Sequence, residues 1–91
     1  MFFLFAGQDQ PNFYFTDERQ GDIFRMSVHG GPAIALNLST RVRMKSPFAL
    51  AYDSVRKFLY WTDNETGHKK IGQLSLIDGL IKIMNLGAGK K

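Results

Sequence analysis

Residues 58–63 read Phe-Leu-Tyr-Trp-Thr-Asp, four bulky apolar side chains closed by two short polar ones. In an extended strand the alternation sends Phe58, Tyr60 and Thr62 to one face and Leu59 and Trp61 to the other. Both faces are bulky, which predicts a strand buried on both sides. Just upstream, residues 48–53 (FALAYD) set large Phe48, Leu50 and Tyr52 against small Ala49, Ala51 and Asp53. A large face and a small face suit a sheet wedged between two neighbours.

The same pattern occurs earlier in the chain. FYFTD at 13–17 matches LYWTD at 59–63, and the same spacing carries FFLFA at 2–6 onto FALAY at 48–52. Further on, IFRMSVHGG at 23–31 matches IGQLSLIDG at 71–79 after two extra residues in the polar stretch NETGHKK. Insertions in polar loops are what internal repeats tolerate. Each copy holds four short apolar runs separated by turn formers such as Asp9, Pro11, Asn12, Gly21, Asp22, Gly30, Gly31 and Pro32. No helical period intervenes, so an antiparallel meander is expected in each copy. In the second copy its strands fall near 48–52, 58–62, 70–77 and 81–86. The chain therefore divides into two all-β units, 1–47 and 48–91.

Composition narrows the functions open to such a chain. With 91 residues, 44% hydrophobic and 22% charged, it has the makeup of one small packed unit rather than a disordered segment. There is no cysteine, so neither disulfides nor thiolate-bound metal can supplement a small core. The net charge of +4 is spread along the chain, clustered only in Arg41, Arg43 and Lys45 and in His68, Lys69 and Lys70, a weak basis for binding nucleic acid. No run approaches the roughly 20 apolar residues that cross a bilayer, and the opening MFFLFAG reads as a strand rather than a secretory signal. Cys-His and Ser-His-Asp arrangements, HExxH and Gly-rich phosphate loops are all missing from the sequence, which argues against an enzyme and against a cofactor. Asp17, Asp53, Asp63 and Asp78 read as turn formers.

Residues 47–79 resemble the low-density lipoprotein receptor class B repeat, the YWTD repeat, through Pro47, Leu50, Asp53, Tyr60, Trp61, Thr62, Asp63, Ile71, Asp78 and Gly79. The first copy is a weaker match. It keeps Tyr14, Thr16 and Asp17 but has Phe15 for the tryptophan, Gly7 for the inner aspartate, and Phe3 and Phe5 in place of Ala49 and Ala51. The resemblance implies two four-stranded antiparallel blades of a six-bladed β-propeller, with the aromatic residues filling the space between blades. It also implies that Asp63 and Asp17 accept backbone hydrogen bonds that fix each blade's turn and its neighbour.

Two blades do not close a six-fold ring. If each open face is the size of a standard protein interface, roughly 1,600 Å² in total, covering it yields a gross drive on the order of 20 kcal/mol. Partners are therefore expected to be further blades or two more copies in a homotrimer, together with a protein ligand on the completed face. The ends of the chain fall nearly in phase with the repeat, which permits such a trimer.

By resemblance the location is extracellular or at the cell surface, and the role is protein binding in receptor-mediated uptake (endocytosis) or signalling. Two sequences, Asn37-Leu38-Ser39 and Asn64-Glu65-Thr66, fit the N-glycosylation acceptor pattern, with Asn64 favoured by its loop. Arg41, Arg43 and Lys45 alternate so as to place three basic groups on one side of an extended connector, a solvated linker or a patch for an acidic partner. His29 and His68 read as solvated loop residues. The rival from another class is a lactonase-like six-bladed propeller enzyme with a calcium site of oxygen ligands, toward which the inner strands offer only Asp53. A third reading is an isolated fragment with no function of its own.

Overall fold

The computed structural model describes residues 3–6, 12–64 and 69–86. Eight strands follow in chain order: β1 (Phe3–Ala6), β2 (Asn12–Asp17), β3 (Asp22–Ser27), β4 (Ile34–Ala35), β5 (Pro47–Asp53), β6 (Phe58–Asp63), β7 (Lys70–Ser75) and β8 (Ile81–Asn85). They form two four-stranded antiparallel sheets, β1-β2-β3-β4 and β5-β6-β7-β8, in which every strand pairs with its sequence neighbour. Among the described residues the chain is all-β apart from one 3₁₀ turn, Leu38–Thr40, in the connector between the sheets.

Three of the reversals have the same build. The amide of Gly21 donates to the Asp17 carbonyl, that of Lys57 to Asp53, and that of Gly79 to Ser75, at 2.8, 2.8 and 2.9 Å. Each donor lies at positive φ, +67°, +62° and +76°. Glycine meets that requirement without cost. Gly21 is doubly constrained, because a β-carbon there would lie 2.8 Å from the Met44 carbonyl oxygen. At Lys57 an ordinary residue is held in the left-handed region.

The two sheets stack through unlike faces. Tyr14 and Ile23 of the first sheet join Leu50, Leu59, Trp61 and Leu74 of the second in one buried cluster, completed by Leu38 and Met44 from the connector. The Thr16 hydroxyl donates to the Phe48 carbonyl at 2.9 Å, bridging β2 and β5. Inside the second sheet the indole of Trp61 lies across Gly72, its register partner, so closely that a β-carbon at residue 72 would fall within the ring.

Three sequence expectations require correction. Strand β6 is not buried on both sides: Leu59, Trp61 and Asp63 are buried, but Phe58, Tyr60 and Thr62 are only half covered. The first sheet lies over the Trp61 side, and among the described residues nothing covers the other. Phe48 does not join Leu50 on a common covered face, because a register irregularity between Pro47 and Leu50 breaks the alternation, and Phe48 is 41% exposed.

That irregularity also shifts the alignment of the inner strands. Phe3 pairs with Phe15 as Leu50 pairs with Trp61, and Phe5 pairs with Phe13 as Tyr52 pairs with Leu59. In register, then, Phe3 and Phe5 stand where the second sheet has Leu50 and Tyr52, not Ala49 and Ala51. One residue added by a bulge moves every later side chain to the other face of a naive alignment.

Two substitutions test this packing. Gly72→Ala must displace the indole and is expected to cost about 1–3 kcal/mol, the usual toll of overfilling a packed site. Lys57→Gly relieves a left-handed side chain and is expected to gain up to about 1 kcal/mol, the remainder being offset by greater freedom of the unfolded chain. Urea unfolding followed by fluorescence of the single tryptophan reads both.

Candidate functional site

The two matching strand segments use their residues differently. In β6, Trp61 and Asp63 are each 2% exposed, while Tyr60 and Thr62 lie on the half-covered side. In β2 the pattern is reversed: Tyr14 and Thr16 are buried, and Phe15 and Asp17 are half covered. The reason is position in the stack. Each sheet has one covered side, and the covered sides face each other.

The carboxylates follow this division. Asp63 accepts hydrogen bonds from the amides of Lys45 and Ser46, at 2.9 and 3.0 Å, and so ties the connector to the sheet it enters. Asp17, at the corresponding place, binds only its own turn: its Oδ1 accepts from the amides of Arg19 and Gln20, and its Oδ2 from the Gln20 side chain. Asp53 does the same with the amides of Val55 and Arg56, and adds a 3.1 Å ion pair to the Arg56 guanidinium. Its oxygens are thus engaged at the turn that ends β5.

Backbone donation holds these turn carboxyls below the ordinary aspartate range. The Gln20 amide is the leading cause at Asp17, the Arg56 amide at Asp53, and the Leu80 amide, with help from the Ser75 hydroxyl, at Asp78. On Tyr14, burial dominates and raises the phenol, partly offset by the nearby Arg25.

One carboxylate with a larger role was read from sequence only as a turn former. Asp22 is 5% exposed; its Oδ1 accepts from the amides of Ile23 and Leu38, at 2.8 and 3.1 Å, and its Oδ2 accepts from the Ser39 hydroxyl at 3.3 Å. It holds the 3₁₀ turn against β3. Lys70 stands at the matching place in the second sheet, so the internal comparison did not single Asp22 out.

The basic residues are distributed as the alternation implied. Arg41, Arg43 and Lys45 are exposed, while Val42 and Met44 turn toward the core. Arg41 donates to the Gly79 carbonyl at 2.6 Å, which draws the turn before β8 against the connector. Asn37 and Asn64 are both exposed, Asn37 at φ +58° and Asn64 donating its amide to the Ser46 carbonyl. His29 is exposed in the turn after β3; Gly7, Thr66 and His68 lie outside the described residues. Among the described residues no three His, Cys, Asp or Glu side chains converge as a metal site would require, and no helix is long and apolar enough to cross a membrane.

Among the described residues each sheet also has a second side that is only half covered. On the second sheet, Ala49, Ala51, Tyr60, Thr62, Ile71 and Met84 line a groove of about 330 Å³, with the Tyr60 hydroxyl accepting from Gln73 Nε2 at 3.0 Å beside it. On the first sheet, Phe13, Phe15, Phe24 and Met26 are half covered, and the rings of Phe15 and Phe24 stack at 5.5 Å. The groove itself is apolar in its lining, and beyond Tyr60 the same side of the sheet continues through Gln73 and Lys82. Comparison of the chain with family models, with curated proteins and with solved structures gave no match.

The two kinds of aspartate separate experimentally. Asp63→Ala leaves two connector amides without their charged acceptor and is expected to cost about 2–3 kcal/mol, against a much smaller loss for Asp17→Ala. The depressed turn carboxyls stabilise the fold while ionised, so their contribution is complete above the ordinary aspartate value of 3.8 and is lost as pH falls through their lower folded values. Urea midpoints should accordingly be level above about pH 5 and decline below about pH 4, less steeply in Asp53→Asn.

Proposed function

We propose that the chain is a two-blade portion of a YWTD-type six-bladed β-propeller, similar to that of low-density lipoprotein receptors, and serves as a non-enzymatic scaffold for protein ligands. The observation that carries this reading is the stack itself: two four-stranded meanders of the same order, packed face to face around one buried cluster. The YWTD residues support it by being spent on architecture. Trp61 fills the space between sheets over Gly72, and Asp63 fastens the connector. On this reading a completed ring binds its protein ligand at a face built from turns and connectors, where Arg41, Arg43 and Lys45 offer charge to an acidic partner. Extracellular placement, uptake and glycosylation at Asn64 or Asn37 follow from the resemblance to receptor repeats.

The test against the lactonase-like alternative is titration calorimetry with calcium. A binding scaffold gives no saturable heat, whereas one tight site per chain, with a Kd in the micromolar range or below, would overturn the proposal in favour of a metal-dependent enzyme. Asp53, engaged by Arg56 and two amides, is not free to serve such a site without giving up its turn.

A further inference from the structure

We propose that the paired turns at 54–57 and 76–80 dock the chain on an anionic lipid surface, with Val55, Ile77 and Leu80 entering the headgroup layer and Arg56, Lys57 and Lys82 meeting its phosphates. Strand pairing puts both turns at one end of the second sheet, because Asp53 pairs with Phe58 and Phe58 with Ser75. Hydrogen bonds then fasten them together. The Leu76 amide donates to the Lys57 carbonyl at 2.9 Å, joining one turn to the other, and Arg41 reaches the second turn at the Gly79 carbonyl.

These turns display side chains that water does not favour. Val55 is 85% exposed, Ile77 77% and Leu80 67%, the most exposed large apolar residues among those described, and Leu76 lies between the two turns at 36%. Turn positions ordinarily go to Gly, Asn, Asp or Ser. One exposed aliphatic needs no explanation, but four on two joined turns form a patch. Cations surround it: Arg56 and Lys57 on the first turn, Arg41 beside the second, and Lys82 sharing a hollow with Asp78 and Leu80. Of the two carboxylates here, Asp53 is taken up by Arg56 and two amides, and Asp78 accepts from the Leu80 amide. Four cations against two engaged carboxylates leave this end positive.

Lys57 supplies an independent observation. Of the three reversals of the same build, two give the left-handed position to glycine, Gly21 and Gly79, and the third gives it to Lys57 at φ +62°. The fold would be better served by glycine there. A strained residue that the fold does not require points to a role outside the fold.

The chemistry of the patch selects the occupant. Further sheets added to the stack cover sheet faces and leave sheet ends exposed, so extending the stack does not bury these turns. Protein interfaces draw their energy mainly from Trp, Tyr and Arg and are poor in Val, Leu and Lys. Aliphatic tips ringed by long cations fit a lipid interface instead: the tips pass among the headgroups, and the Lys and Arg stems lie along them with their charges at the phosphates. The proposal does not rest on the propeller reading.

Vesicle co-sedimentation tests it, using phosphatidylcholine vesicles made with and without about one-third phosphatidylserine. The chain is expected to bind the anionic vesicles at least about tenfold more tightly than the neutral ones, and less tightly as salt is raised. The double variant Ile77→Ser, Leu80→Ser is expected to lose about tenfold or more. Lys57→Gly is expected to bind about fivefold more weakly with an equal or higher urea midpoint, a combination that damage to the fold does not produce. Lys69→Gln removes one charge from the opposite end of the sheet and is expected to bind as wild type does. Far-UV circular dichroism checks that each variant is folded; should the double variant fail, Val55→Ser on the first turn takes its place. Equal binding to both kinds of vesicle overturns the proposal, as does a loss in Lys69→Gln that matches the loss in Lys57→Gly. So does a chain that ignores anionic vesicles, which would leave the turns to a protein partner or to another part of this protein.

Discussion

A sheet has two faces, and two sheets stacked once can cover only one face each. Everything else in this chain follows from how that constraint is met. The covered sides carry the buried cluster of Tyr14, Ile23, Leu50, Leu59, Trp61 and Leu74, and on the second sheet the other side mixes apolar residues with polar ones such as Gln73 and Lys82. A chain that treated its outer faces as solvent boundary would show alternation between apolar and polar residues on each strand. Strand β6 instead holds Phe58 and Tyr60 half covered on its other side, and β2 holds Phe13 and Phe15 in the same state.

Much of this was legible in the sequence because strands and turns leave local signals. The aromatic and β-branched runs at 13–17, 23–27 and 58–63 are bounded by Asp, Gly and Asn, and seven of the eight strands are at least four residues long. Alternation alone set Leu59 and Trp61 on one face of β6 and Phe58 and Tyr60 on the other, though not which of the two is covered. The basic residues of the connector were likewise placed by their spacing around Val42 and Met44.

The parts that were not legible depend on contacts between distant residues. The added residue between Pro47 and Leu50 changes which inner-strand residues correspond, and no local pattern marks it. Asp22 looked like one more turn aspartate beside Gly21; its hold on Leu38 and Ser39 exists only because the connector folds back over β3. The half-covered state of Tyr60 is a fact about stacking order, which the strand's own composition does not record.

The connector deserves a mechanical description. Asp22 grips it at Leu38 and Ser39, Asp63 grips it at Lys45 and Ser46, and Leu38 and Met44 are sunk into the shared core. Such a segment is a strut rather than a hinge: neither sheet is released without breaking a buried anchor belonging to the other. Melting should therefore be all-or-none, with calorimetric and van't Hoff enthalpies in agreement, and a protease that cuts between residues 38 and 46 should find its site only in molecules that have lost both sheets.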